Sequence, residues 1–206
     1  MLQLLFTPHE ERQRKVHQMM RDVLGSQYQH VCLLDLKLEE DTTNEESKVS
    51  FKLQIGEEKV KRLSGYGYGV VDSIFSAVMK ESSPRFKSLK NITLKHFSIE
   101  AKFNAKKDNL TGSNAMGEIV LVVNNSHFGE FVFRCQSRSI NSGIIFAIEE
   151  MFQYFINSEK CAILLRDVIE DAKKRNRNDI MEKSIKQLTE LIKNAPCEEA
   201  FKDENR

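Results

Sequence analysis

The chain has 206 residues, 40% of them hydrophobic and 30% charged, enough apolar material for one sizeable core or two small ones. Thirty-one Lys and Arg against thirty Asp and Glu leave a net charge of +1, so no whole-chain field gathers nucleic acid, anionic lipid or acidic substrates. No stretch approaches the ~18 uninterrupted apolar residues of a membrane span, and the run Leu2 to Phe6 is too short for a signal sequence and is cut off by Pro8.

Pro8 to Leu24 carries Val16, Met19, Met20 and Val23 at helical spacing and ends at Gly25, which predicts a short amphipathic helix. Val31 to Leu38 reads as a strand, the acidic run Glu39 to Glu46 as a solvated turn, and Val49 to Ile55 as a strand pairing back on the first. Gly65-Tyr66-Gly67-Tyr68-Gly69 reads as a glycine-rich turn opening a helix, VVDSIFSAVMKE, that Ser82, Ser83 and Pro84 terminate. The order then repeats. Ile92 to Phe103 and Met116 to Val123 alternate as strands around a loop at Lys106 to Asn114, and His127 to Arg134 alternates as a third. The polar link Gln136 to Ser139 leads into the apolar helix INSGIIFAIEEMFQYFI, with Asn141 and Ser142 as its caps.

Val71 to Met79 set beside Gly143 to Met151 shows the same grammar, so the expected fold is α+β, two pseudo-symmetric β-β(-β)-α units with antiparallel sheet and helices on one face. Residues 1–28 form an N-terminal helical segment, 29–157 the duplicated domain with units at about 29–83 and 89–157, and 158–206 a C-terminal helical extension and tail. Within that extension Glu159 to Ala195 is helical, with a break at Lys173 to Asn178.

Four cysteines, Cys32, Cys135, Cys161 and Cys197, lie far apart without a CxxC pair, giving neither zinc spacing nor a disulfide framework, and a reducing cytoplasm fits them. The run Gly65 to Asp72 is the strongest local chemical signal: glycines admit close backbone approach, and a helix start presents unpaired amides and the positive dipole end to a carboxylate or phosphate. A plain tight turn explains the same glycines equally well. The order GYGYG lacks the GxGxxG pattern and a P-loop lysine, which disfavours nucleotides. His9, His17, His30, His96 and His127 fit no HxH or HExxH spacing, and no serine sits in GxSxG, so no catalytic residue, metal or cofactor is assigned. Asp35, Glu39, Glu40 and Asp41 read as a solvated hairpin rim in preference to a cation site. Phe97, Phe103, Phe128, Phe131 and Phe133 read as core in preference to a base-stacking surface. The terminal helices read as docking on the domain or on a second subunit.

At these residues the chain resembles the C-terminal regulatory domain of 2-isopropylmalate synthase and its relative citramalate synthase. Gly67-Tyr68-Gly69-Val70-Val71-Asp72-Ser73 is similar to that family's GxGPVDA-like turn, with Val70 for Pro and Ser73 for Ala. Leu94, Phe97 and Ala101 match its next strand, Ala115-Met116-Gly117-Glu118-Ile119 its small-residue turn and strand, and Gly143 to Ile148 its second helix. The resemblance spans Val31 to Asn157. Gly143 stands where the family has Asp, and Arg134-Cys135-Gln136-Ser137-Arg138 replaces its second glycine turn, placing positive charge there.

The resemblance implies a homodimer binding a branched-chain amino acid or related carboxylate between the helix starts, at Gly67, Gly69, Val70, Val71, Asp72, Ser73, Leu94, Phe97, Ala101, Ala115, Asn141 and Ile145. It implies a feedback module of leucine biosynthesis without the catalytic barrel, standing alone and acting on a separate catalytic partner protein. Asp41-Thr42-Thr43 superficially matches the barrel's metal motif but lies between hairpin strands. The alternative is a protein-protein interaction or scaffold module with a degenerate pocket. Neither reading involves nucleic acid or membrane.

Overall fold

In the computed structural model, which describes residues 7–101 and 116–197, α1 (Pro8–Leu24) starts where the sequence predicts because Thr7 and Glu10 cap it reciprocally. Thr7 Oγ1 accepts from the Glu10 amide at 3.2 Å, and the Glu10 carboxylate accepts from the Thr7 amide at 2.7 Å. Gly25, at φ 50°, ends the helix.

Strands β1 (Val31–Asp41), β2 (Glu46–Ile55) and β3 (Lys61–Gly67) form an antiparallel sheet in that order, followed by α2 (Val70–Ser82). Strands β4 (Ile92–Ala101), β5 (Gly117–Asn125) and β6 (Gly129–Ser137) form a second, followed by α3 (Ile140–Lys174). Helix α4 (Asn178–Asn194) then folds back along α3 after a turn in which Asn176 takes φ 54°. Helix α2 lies on β2 and β3, and α3 on β5 and β6. This is the expected α+β architecture of two three-stranded units, each followed by a helix, with further helices at both ends.

A shift of 70 residues carries Val49, Gly65 and Gly67 onto Ile119, Cys135 and Ser137, which occupy the same register positions. Two residues join strand to helix in each unit, Tyr68-Gly69 and Arg138-Ser139, so Ser73 corresponds to Gly143. The sequence comparison of Val71 with Gly143 is therefore two residues out.

Several boundaries differ from expectation. The acidic run Glu39 to Glu46 is half strand and half turn, because Asp41 closes a turn of residues 42–45 by accepting from the Thr43 and Asn44 amides at 2.9 and 3.3 Å. Gly65 to Gly67 is the end of β3, not a turn. Strand β6 starts at Gly129 because Asn125 Oδ1 accepts from the His127 and Phe128 amides and holds those residues in a turn. Ser139, not Asn141 or Ser142, caps α3, accepting from the Ser142 amide at 3.3 Å. Helix α3 passes straight through residue 157, where the domain was expected to end. Phe103, the loop 106–114 and Ala115 lie outside the described residues.

The long helix is continuous because its middle is enclosed: Met151 to Glu159 are all buried, with both sheets, α1 and the turn at Lys87–Leu89 around them. Phe131 and Phe133 meet Tyr154 and Phe155 at 5.1 to 6.2 Å, edge-on except for the tilted Phe131–Tyr154 pair, and Phe75 of α2 meets Phe152 at 6.1 Å. Side chains also close strand edges. Gln13 Nε2 donates to Val132 O at 3.0 Å while its Oε1 accepts from the Val132 amide at 3.2 Å, so one amide side chain pairs with β6 like a residue of a fourth strand. Asn157 pairs likewise with Gln29, and Glu149 accepts from the Leu33 amide at 2.6 Å.

Candidate functional site

The start of α2 is built by close approach of helix to strand. A methyl group at Gly65 would overlap the Ser73 carbonyl oxygen, and one at Gly67 would overlap the Asp72 carboxylate, which lies directly above it. Gly69 alone needs glycine's backbone freedom, at φ 86°. It is the N-cap and offers no side-chain cap, so Val70, Val71 and Asp72 begin the helix with amides that no capping side chain meets. Gly65 and Gly67 thus serve packing, while Gly69 opens the helix.

Ser73 is fully buried, its hydroxyl 2.9 Å from both Ser47 O and Gly69 O, and it is engaged within the fold. Val71 belongs to the core; Val70, Leu94, Phe97 and Ile145 are half-buried and pack against it, and α2 touches β4. Ala101 is the last residue of β4. Asn141 is exposed on the first turn of α3 and caps nothing, and Ala115 is outside the described residues.

The second helix start is closed. Ser139 caps it, and a side chain at Gly143 would collide with Ile119 Cδ1 and stand 3.1 Å from Ser137 Cβ, so an acid there has no room. Cys135 donates its S–H to Gly143 O at 3.1 Å. The expected positive charge at this turn is not delivered by Arg134, which ion-pairs with Glu10 at 2.6 Å and Glu118 at 3.7 Å, both carboxylates almost fully buried. Burial pushes the Glu10 carboxyl up, but the Thr7 amide and Arg134 outweigh it and hold it below the usual range.

A groove of about 910 Å³ between α1, β6 and α3, lined by Arg14, His17, Arg21, Phe133, Ala147 and Glu150 among others, carries no signal in the sequence. Its charged groups meet only when α1 crosses α3, more than a hundred residues away. His17 Nε2 shares a 2.6 Å hydrogen bond with the Tyr28 hydroxyl; burial, then Arg21, lowers its pKa to about 4. Arg21 pairs with Glu150 at 3.3 Å. The groove's polar walls are thus largely bonded to each other.

Elsewhere Asp35 pairs with Lys52 at 2.6 Å and Glu39 with Lys48 at 3.4 Å on the exposed hairpin. Among the described residues no group of three or more His, Cys, Asp or Glu is placed to hold a metal ion, and no helix is long and apolar enough to cross a membrane. Burial pushes the Cys161 thiol up to about 12, which makes it a poor nucleophile.

No protein-family model matches the chain, and no curated protein matches it.

Proposed function

We propose that this chain is a non-catalytic, homodimeric module that binds a small amino acid, or a related small carboxylate, at the start of α2. The observation that carries the reading is the uncapped helix start at Gly69 with the Asp72 carboxylate over Gly67 beside it. Amides at the helix start suit a carboxylate and the Asp72 carboxylate suits an ammonium group, while Leu94, Phe97 and Ile145, which the resemblance assigns to the pocket, would suit a branched side chain. The resemblance to the 2-isopropylmalate synthase regulatory domain supports the same chemistry, with feedback on a separate catalytic chain as its physiological form. The closed second start makes one site per chain the expected stoichiometry. Unbridged Cys32, Cys135, Cys161 and Cys197 suit a cytoplasmic setting.

Thermal-shift titration with branched-chain amino acids and with 2-oxo and 2-hydroxy acids tests the reading. A hundredfold excess over Kd stabilises a folded chain by about 2.7 kcal/mol, a shift of several degrees. Asp72→Asn should abolish the response to amino acids and keep that to 2-oxo acids. Silence of the unaltered chain across the panel at millimolar concentration rejects it.

A second reading, an interaction module, is supported by the exposure of Ile163, Ile180 and Ile185 on the α3–α4 hairpin. It expects a protein partner lost on removing residues 159–195 and no response to small acids.

A further inference from the structure

The correspondence of the two units leaves one strand edge without its cover. In β6 the amide and carbonyl of Val132 point away from β5 and are met by Gln13 of α1. In a strand of L-residues, direction and the face given to the helix fix the side to which each N–H and C=O points. Arg62 corresponds to Val132, so Arg62, Ser64 and Tyr66 of β3 direct theirs away from β2. No helix plays the part of α1 there: among the described residues β3 pairs with β2 alone. Three large side chains with apolar surface, Val60, Tyr66 and Tyr68, stand 48%, 61% and 80% exposed on this strand and its flanks.

We propose that the outer edge of β3 is the contact surface for a second copy of this chain, paired antiparallel about a two-fold axis at Ser64 to give one continuous six-stranded sheet. Self-complementarity identifies the occupant. With Ser64 opposite its own copy, Arg62 falls opposite Tyr66 of the second copy and Val60 opposite Tyr68, so all three exposed side chains gain partners and the guanidinium gains an aromatic face. On the outer face of this sheet Arg62 and Lys52, the latter paired with Asp35, stand at one end, and Glu46 and Glu39, the latter paired with Lys48, stand at the other, so the ends differ in sign mainly through Arg62 and Glu46. Antiparallel pairing sets the basic end of each copy against the acidic end of the other. A strand of unrelated sequence has no reason to match that gradient. The inference rests on the preceding reading for the homodimer and not for its ligand, so it is tested without amino acid.

Light scattering of the full chain should give the mass of two chains. Ser64→Pro removes an outward N–H while leaving the bonds to β2, and Arg62→Glu sets a carboxylate against Tyr66 and Glu46 of the second copy. Each should give the mass of one chain with an unchanged circular dichroism spectrum, and the second serves if the first fails to fold. Ser64→Cys should cross-link chain to chain on mild oxidation, since residues paired directly across an antiparallel ladder lie about 5.5 Å apart at Cα, within disulfide span. The unaltered chain and Ser50→Cys, one strand further in, are the controls. A one-chain mass for the unaltered protein at every concentration, a dimer that survives both edge variants, or cross-linking no faster at residue 64 than at residue 50 would each overturn the proposal.

Discussion

Gly65 and Cys135 hold the same place in the two units, as do Ser73 and Gly143, so the glycine changes sides: strand in the first, helix in the second. Each joint admits one side chain between helix and sheet and has no space for two. Gly143→Ala meets the tip of Ile119 and should cost about 1–3 kcal/mol as overpacking. Ile119→Val removes the clashing Cδ1 and costs about 0.5–1.5 kcal/mol by itself, so the double variant should be more stable than the two single effects added. Urea denaturation of the four chains measures the coupling, and simple additivity would show that the contact is relaxed away. Gly65→Ala has no such relief because it meets the backbone oxygen of Ser73. None of this is legible in the string of residues, where Gly65, Gly67 and Gly69 look alike: only Gly69 has a positive φ, and the need at the other two comes from a helix that sequence spacing does not place.

Legibility differs among elements for the same kind of reason. Helices α1 and α2 bury one side each, so their apolar spacing is visible and their bounds follow from Pro8, Gly25 and the Ser82-Ser83-Pro84 stop, whereas the Thr7–Glu10 cap shows only in the structure. The middle of α3 is buried all round, which erases the one-sided pattern and makes residue 157 look like an end. Strand β3 is hidden differently, since its inward positions Gly65 and Gly67 have no side chain to alternate. Asn157 shows what the continuity of α3 supports: its amide accepts from the Gln29 N–H at 2.7 Å and donates to Gln29 O at 2.9 Å at the entry to β1. Asn157→Ala leaves both groups unpaired in a partly buried place, at about 1–3 kcal/mol for each group left unsatisfied. Asn157→Asp keeps the acceptor but sets a buried carboxylate against the Gln29 and Gln153 carbonyl oxygens and should lose more than Asn157→Ala. A urea midpoint for the Asp variant no lower than that of the Ala variant would assign the role to packing.

Across the whole molecule the repeat is kept in register but covered unequally. Gln13 covers the β6 edge at Val132 while the equivalent Arg62 of β3 has no such cover, and Ser139 caps α3 while the equivalent Gly69 leaves α2 uncapped. In each case one group met by a side chain in the second unit has no such partner at the equivalent position of the first, Val132 against Arg62 and Ser142 against Asp72, which fits the proposed placing of binding in the first unit. The sequence resemblance located the α2 start but not the reason for the difference, because α1 lies outside the region it spans. Residue-resolved amide exchange separates the two edges directly. Val132 should be protected at any protein concentration. Arg62, Ser64 and Tyr66 should exchange quickly in dilute protein and slow as concentration rises, whereas Leu63 and Gly65, whose amides face β2, should stay protected throughout. A rise in protection that did not alternate along β3 would point to general burial of the strand and not to pairing, and equal behaviour of β3 and β6 would remove the asymmetry on which the division between the units depends.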